Sequence, residues 1–179
     1  MKCSTCQSAQ LEPKELEPGL LVAACPKCEG SLVSLMNYRF WLDRYDGLAA
    51  SEPLPELDVP DEQPSARACP KCSRLMTKYQ MGLNSAHKID LCASCDEAWL
   101  DKGEWQLLKH LDLHGKLPKI FTDAWQRNIR KARQEAFHQD RYEKLLGGED
   151  FAQVHAFRQW LYRHARKEDI KQYLLIAPE

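Results

Sequence analysis

The stretch that decides the fold reads Cys69-Pro-Lys-Cys72, nineteen further residues, then Cys92-Ala-Ser-Cys95-Asp-Glu-Ala-Trp99-Leu-Asp101. Two cysteines separated by two residues, answered by a second such pair after about 15–20 residues, have the spacing of a four-thiolate metal site. Each pair turns two sulfurs toward one ion, and the hairpin between the pairs returns the second pair to complete a tetrahedron. The pattern occurs a second time near the start of the chain, where Cys3/Cys6 precede Cys25/Cys28 with 18 residues between. All eight cysteines are accounted for in this way. The spacing predicts two Zn(2+) ions per chain, one held by Cys3, Cys6, Cys25 and Cys28 and one by Cys69, Cys72, Cys92 and Cys95.

Three other uses of cysteine fit less well. A disulfide framework suits small secreted chains, but Met1-Lys2-Cys3 enters the first motif with no apolar leader before it. Thioredoxin-type redox chemistry needs one such pair at a helix start in a βαβ setting, and that setting is missing. Buried free thiols give no reason for paired spacing. Four sulfur ligands leave no open coordination position, so these sites are expected to hold the fold and not to catalyse. A ribbon of about 40 residues is near the size at which an apolar core alone rarely suffices. A structural zinc can add on the order of 10 kcal/mol to folding at neutral pH.

The 179 residues leave room for two or three small units, and 44% hydrophobic with 28% charged residues is a globular composition. The net charge of −1 conceals an asymmetry. Residues 1–101 carry 10 Lys/Arg against 15 Asp/Glu, a net of −5, whereas residues 102–179 carry 15 against 11, a net of +4. Two zinc ions on eight thiolates would make the first part more acidic still. An electrostatic grip on nucleic acid is therefore expected only from the carboxy-terminal part. No run of 18 apolar residues occurs, so no membrane span is expected, and the cytoplasm is the expected compartment.

Residues 1–42 read as a first zinc ribbon, with Pro13, Pro18 and Gly19 in a loose hairpin and a return strand over residues 20–23. The aromatic stretch Tyr38-Arg39-Phe40-Trp41-Leu42 is expected to cap its small core. Residues 43–67, acidic and proline-rich, read as an extended linker. Residues 68–115 form the second ribbon with a trailing helix. Its strands are expected over 75–80 and 87–91, with Gly82, Asn84 and Ser85 in the turn. Asp101 and Glu104 have capping-box spacing, and the helix is expected to run through Trp105, Leu107, Leu108 and Leu111 to a stop at Gly115.

The motif of Cys69-Pro-Lys-Cys72 and Cys92-Ala-Ser-Cys95 followed by Trp99-Leu-Asp-Lys-Gly-Glu104 resembles the bacterial zinc-ribbon family named after transcription factor IIB. The resemblance covers about 40 residues closely. It implies the ribbon fold, with Cys69, Cys72, Cys92 and Cys95 as zinc ligands, Trp99 in the core and Asp101 as the helix cap. The chain departs from that motif by carrying Ala93 and Asp96-Glu97 around the last knuckle, in place of the usual Pro and Gly. Residues 1–42 resemble a diverged copy, in which Leu32 falls where Trp99 falls and Ser34 where Asp101 falls, leaving a weak helix signal.

Residues 116–179 read as a helical module. Phe121, Trp125, Ile129, Ala132 and Ala136 recur at three- and four-residue steps, and Arg127, Arg130, Lys131 and Arg141 fall on the opposite face. Gly147-Gly148 ends this helix. Asp150 is the expected cap of the next, with Phe151, Val154, Phe157, Leu161 and Ala165 inward, and a last helix is expected over 168–175. His110 and His114 stand four apart, but the general base of a His-Glu-x-x-His site is missing.

The expected fold class is thus small zinc-stabilised β, two zinc ribbons, with an α-helical carboxy-terminal region. The expected function is a non-enzymatic module for macromolecular interaction, in transcription or RNA handling by the resemblance. A protein is the favoured partner, and nucleic acid is possible through Arg127, Arg130, Lys131 and Arg141. The alternative is a thiol/zinc redox sensor or redox enzyme, because exposed zinc-bound thiolates remain nucleophilic.

Overall fold

In a computed structural model, which describes residues 1–44, 65–83 and 85–176, the strands β1 (Glu12–Glu17), β2 (Leu20–Ala24) and β3 (Ser31–Ser34) form one antiparallel ribbon. A second antiparallel ribbon follows from β4 (Thr77–Gln80), β5 (Lys88–Cys92) and β6 (Glu97–Leu100). The ribbons do not stand apart. β3 and β6 pair antiparallel, with Leu32 opposite Trp99 and Val33 opposite Ala98, so all six strands make a single sheet of order β1-β2-β3-β6-β5-β4. Pro13 lies on β1 at the sheet's edge, where its missing N–H breaks no ladder. Gly19, at φ +81°, lets the chain turn between β1 and β2. The expected linker falls mostly on residues 45–64 and the expected turn residue Asn84 on another undescribed position; both lie outside the described residues.

Successive side chains of each strand point to opposite faces of the sheet, and both faces carry buried side chains. On one face Leu20, Val22, Val33, Ile89, Ala98 and Leu100 meet the helices α1 (Leu35–Arg44), α2 (Glu104–His110) and α3 (Leu117–Ile120). The weak helix signal after the first ribbon is corrected by α1, a full ten residues long, whose first turn donates the Asn37 N–H to Ser34 Oγ just before the helix (3.4 Å). Its Leu35, Tyr38 and Trp41 are buried at three-residue steps, while Phe40 points to solvent. Tyr38, Trp41 and Trp105 form a ring cluster with centroids 5.7–6.5 Å apart, a spacing that favours tilted and edge-on aromatic contacts. Each polar handle of the cluster is used. Tyr38 Oη donates to the His114 carbonyl at 2.5 Å, Trp41 Nε1 to the Pro18 carbonyl at 3.0 Å, and Trp105 Nε1 to Glu17 at 2.8 Å.

Two helix ends differ from expectation. Asp101 does not cap α2 with its side chain: Gly103 is the N-cap, and the Asp101 carboxylate is taken up by Arg67 and the Trp99 indole. The returning half of the box does form, since Glu104 Oε2 accepts the Asp101 N–H at 2.8 Å. The helix stops at His110 and not at Gly115. Asp112 takes the left-handed conformation (φ 53°), with Leu113 N–H bonded to the Leu108 carbonyl (2.7 Å) and Asp112 N–H to the Lys109 carbonyl (3.0 Å). That is a Schellman ending, and the buried Leu108 and Leu113 supply its apolar contact.

The described residues divide into two compact units, Met1–Arg130 and Lys131–Glu179. The helix α4 (Asp123–Leu146) begins in the first. There Thr122 Oγ1 accepts the Trp125 N–H (3.3 Å), and the Gln126 amide bonds both the N–H and the carbonyl of Gln80 at 3.1 and 2.9 Å. Ile129 is buried, whereas Ala136 of the same stripe is exposed. The second unit holds the rest of α4 with α5 (Gly148–Arg163) and α6 (Lys167–Leu174). Gly147 is the N-cap of α5, so Asp150 sits inside its first turn and does not cap it. The expected inner side of α5 is also corrected: Leu161 is buried, but Val154 and Phe157 are exposed and Ala165 lies past the helix end.

Candidate metal centres

The opposite face of the sheet carries both cysteine quartets. Cys3, Cys25, Cys69 and Cys92 are buried there with Leu32, Met76 and Trp99. In each quartet the sulfur atoms lie within 4.8 Å of one another. The nearest contacts are Cys3–Cys28 at 3.5 Å, Cys6–Cys25 at 3.6 Å and Cys72–Cys92 at 3.6 Å. These distances decide between two chemistries. A disulfide needs about 2.05 Å between sulfurs. A tetrahedron with metal–sulfur bonds of about 2.3 Å has sulfur–sulfur edges of about 3.8 Å. All eight thiols are free, and their spacing is that of a metal-binding tetrahedron.

The four knuckles share one backbone device. The residue after the second cysteine of each pair takes a left-handed conformation: Gln7 (φ 51°), Glu29 (φ 59°), Ser73 (φ 61°) and Asp96 (φ 56°). This kink returns its N–H to the carbonyl of the first cysteine at 3.1 Å for Gln7, 3.0 Å for Glu29 and 2.8 Å for Ser73. The N–H groups of Cys6 and Cys28 point at the sulfurs of Cys3 and Cys25, each at 3.5 Å, and the Cys6 N–H favours the Cys3 thiolate against the effect of burial. None of the four kinked residues is glycine, so each bears the left-handed penalty that glycine would avoid.

The first cysteine of each pair is buried and the second is more accessible. The thiol chemistry follows. Burial pushes Cys3 and Cys69 up and takes Cys28 to about 12. Hydrogen bonding from Ser8 holds Cys6 down at about 6, and the Arg74 N–H holds Cys72 at about 7. Cys95 is pushed up to about 12, chiefly by its hydrogen bond with Cys72. Each quartet therefore sets one thiol held below the ordinary thiol range, Cys6 or Cys72, beside two held above it, Cys3 and Cys28 or Cys69 and Cys95, which a cation would help to deprotonate.

Between the quartets lies a residue that sequence reasoning missed. Arg67, at the end of the expected linker, is buried at 6% exposure. Its Nε donates to Asp90 Oδ2 at 3.1 Å and its Nη2 to both Asp101 oxygens at 2.9 and 2.7 Å. Its Nη1 donates to Thr5, inside the first knuckle of the first ribbon, and its guanidinium lies 5.2 Å from the Trp99 ring centroid. Trp99 Nε1 in turn donates to Asp101 Oδ1 at 2.8 Å. One cation thus ties both ribbons and stacks on the central tryptophan. Another seam contact is at Gly30, where a Cβ would overlap Trp99 Cζ2 and sit 3.0 Å from Cε2.

Other expected site residues fare differently. Arg127, Arg130, Lys131 and Arg141 are all exposed on α4. His110 is exposed at the end of α2, and His114 is buried beyond the turn with its Nδ1 unpartnered, so the helix does not carry both. Among the described residues, the two cysteine quartets are the groups arranged to hold a metal ion, and no helix is long and apolar enough to cross a membrane. Set beside known proteins, the chain matches no family model, no curated protein and no solved structure.

Proposed function

We propose that each quartet holds a structural zinc ion and that the protein is a non-enzymatic module that binds a macromolecular partner, a protein before a nucleic acid. An all-sulfur tetrahedron suits zinc or iron; the closed ligand set and the absence of any cysteine beyond it favour a fold-holding zinc. The sheet is then a rigid base. The observation that carries the interaction reading is the row Arg127, Arg130, Lys131 and Arg141. All four are exposed along one helix, and none forms an ion pair among the described residues. A cationic row without internal partners is available to carboxylates or phosphates from outside. The resemblance to ribbons named after transcription factor IIB supports a partner in transcription or RNA handling.

The test is a pull-down with the zinc-loaded chain and with Arg127→Glu/Arg130→Glu/Lys131→Glu. Partners captured by the first and lost with the second support the proposal; an unchanged set removes α4 from it. A salt titration separates the partner classes, since phosphate binding loses affinity steeply with ionic strength, by about 0.9 in log–log slope per neutralised duplex phosphate.

A further inference from the structure

The second unit does not close a core of its own. Among its described residues Leu161 is the one large hydrophobic side chain that is buried. Val154, Phe157 and Trp160 are 52%, 41% and 51% exposed, on a helix that runs from Gly148 to Arg163. At about 100° per residue these three, with His164 just past the helix end, fall within one stripe centred on Phe157, and the buried Leu161 lies inside the same stripe one turn further on. Their rings already line up along it. Phe157 and Trp160 have centroids 5.4 Å apart, and Trp160 and His164 5.0 Å. An apolar row of this kind in water is a docking face.

The charges of α5 say what fits it. Its acidic residues, Glu149 and Asp150, are both in the first turn, and its basic residues, Arg158 and Arg163, are both in the second half. A parallel copy would set acid against acid and base against base. An antiparallel copy turned about Phe157 reverses this. Phe157 then meets its own equivalent, Val154 meets the second copy's Trp160, and Asp150 meets the second copy's His164. Glu149 lies on the same flank as Arg163, and same-flank positions are the ones that meet across an antiparallel pair. The helix is therefore self-complementary under a two-fold axis, as an isologous interface requires.

We infer that the protein self-associates through α5, which pairs antiparallel with α5 of a second copy about an axis at Phe157. The inference uses a different helix face from the cationic row of α4 and stands whether or not that row binds a partner.

Sedimentation equilibrium of the zinc-loaded full chain tests it. The expected mass at about 100 μM is twice the 20.7 kDa of the chain. Phe157→Asp, which places two carboxylates on the axis, is expected to give monomer with unchanged helicity by circular dichroism. Should that variant lose helicity, charge reversal decides the matter. Glu149→Arg/Asp150→Arg weakens association roughly tenfold or more, and adding Arg163→Glu/His164→Glu restores it to within about threefold, because only an antiparallel pair recovers its matches. A wild-type monomer at that concentration overturns the inference. So does a dimer that survives both Phe157→Asp and the unrescued charge reversal, since it would use another face.

Discussion

Leu32 stands directly across the β3–β6 ladder from Trp99, and each is the fourth residue after the last cysteine of its own ribbon. Equivalent positions of two similar halves therefore face each other. The halves are related by an approximate two-fold axis at this pair, and the order β1-β2-β3-β6-β5-β4 reads the same from either edge. The pair is not symmetric in bulk. Trp99 fills the seam, and Leu32 and Gly30 give it room.

That room makes Gly30 a sensitive position. Gly30→Ala puts a methyl into the Trp99 ring and is expected to cost about 1–3 kcal/mol, the range for overpacking a filled core. Urea unfolding followed by tryptophan fluorescence measures it. A change below the error of the method would mean that the indole moves aside freely.

Arg67 is expected to matter more. Removing its charge as Arg67→Met leaves Asp90 and Asp101 facing each other's layer without their cation, and breaking such a buried pair typically costs about 3–5 kcal/mol. Asp90 keeps Lys78 at 3.3 Å, so the loss should fall toward the lower end. Arg67→Met/Asp90→Asn should recover part of it. Full stability in the single variant would show that the guanidinium is a passenger.

The kinked knuckle residues offer the opposite sign. Ser73 sits at φ 61° with an exposed side chain, so Ser73→Gly removes a left-handed penalty of about 1–2 kcal/mol less the entropy that glycine adds to the unfolded chain. A net gain of about 0.5–1 kcal/mol in the metal-loaded protein is expected. Thermal melts at fixed free zinc test this, and a lower midpoint would refute it.

Metal removal gives a direct check of the centres. The chain as purified is expected to carry two zinc ions, to be colourless, and to lose its Trp99 protection when a strong chelator strips them. A red protein with iron absorption bands, or one that stays folded with no metal, contradicts the assignment.

His114 supplies a pH dependence. Burial is the main cause that holds its imidazole below the ordinary 6.5, with Lys109 and Lys116 adding to the shift and Asp112 and Glu17 opposing it. The unfolded chain therefore takes up a proton near 6.5 while the folded chain resists. Stability is complete above that value and declines as pH falls from 6.5 toward the lowered folded value. His114→Phe keeps the carbonyl that Tyr38 uses and should flatten this decline. The difference between the two proteins in urea midpoint at pH 7.5 and 5.5 isolates the effect from metal loss. Parallel declines would exclude His114 as its source.

Much of this was legible in the residues. Paired cysteines signal their geometry through spacing alone, β2 is an apolar run between Gly19 and Cys25, and β4 and β5 are marked by the turn around Gly82 between the two cysteine pairs. The seam was not. β3 and β6 are four residues each, too short for alternation to register, and nothing local says that a strand's partner is 60-odd positions away. Arg67 was hidden for a related reason. In an acidic, proline-rich stretch a single arginine looks solvated, and its burial is set by Asp90, Asp101, Trp99 and Thr5, none of them near it in sequence. Asp101 has the spacing of a cap, but its carboxylate binds the Arg67 guanidinium, a charged partner stronger than a helix N–H.

The shared ladder has a consequence for how such a chain can be divided. Cut anywhere between β3 and β4, it would yield two fragments that each bare one row of unsatisfied amides and carbonyls, the kind of border that invites stacking into aggregates. The best available cover for either fragment is the other, or another of its own kind. Co-produced fragments should thus reunite into the parent sheet, whereas either one alone is left seeking a twin.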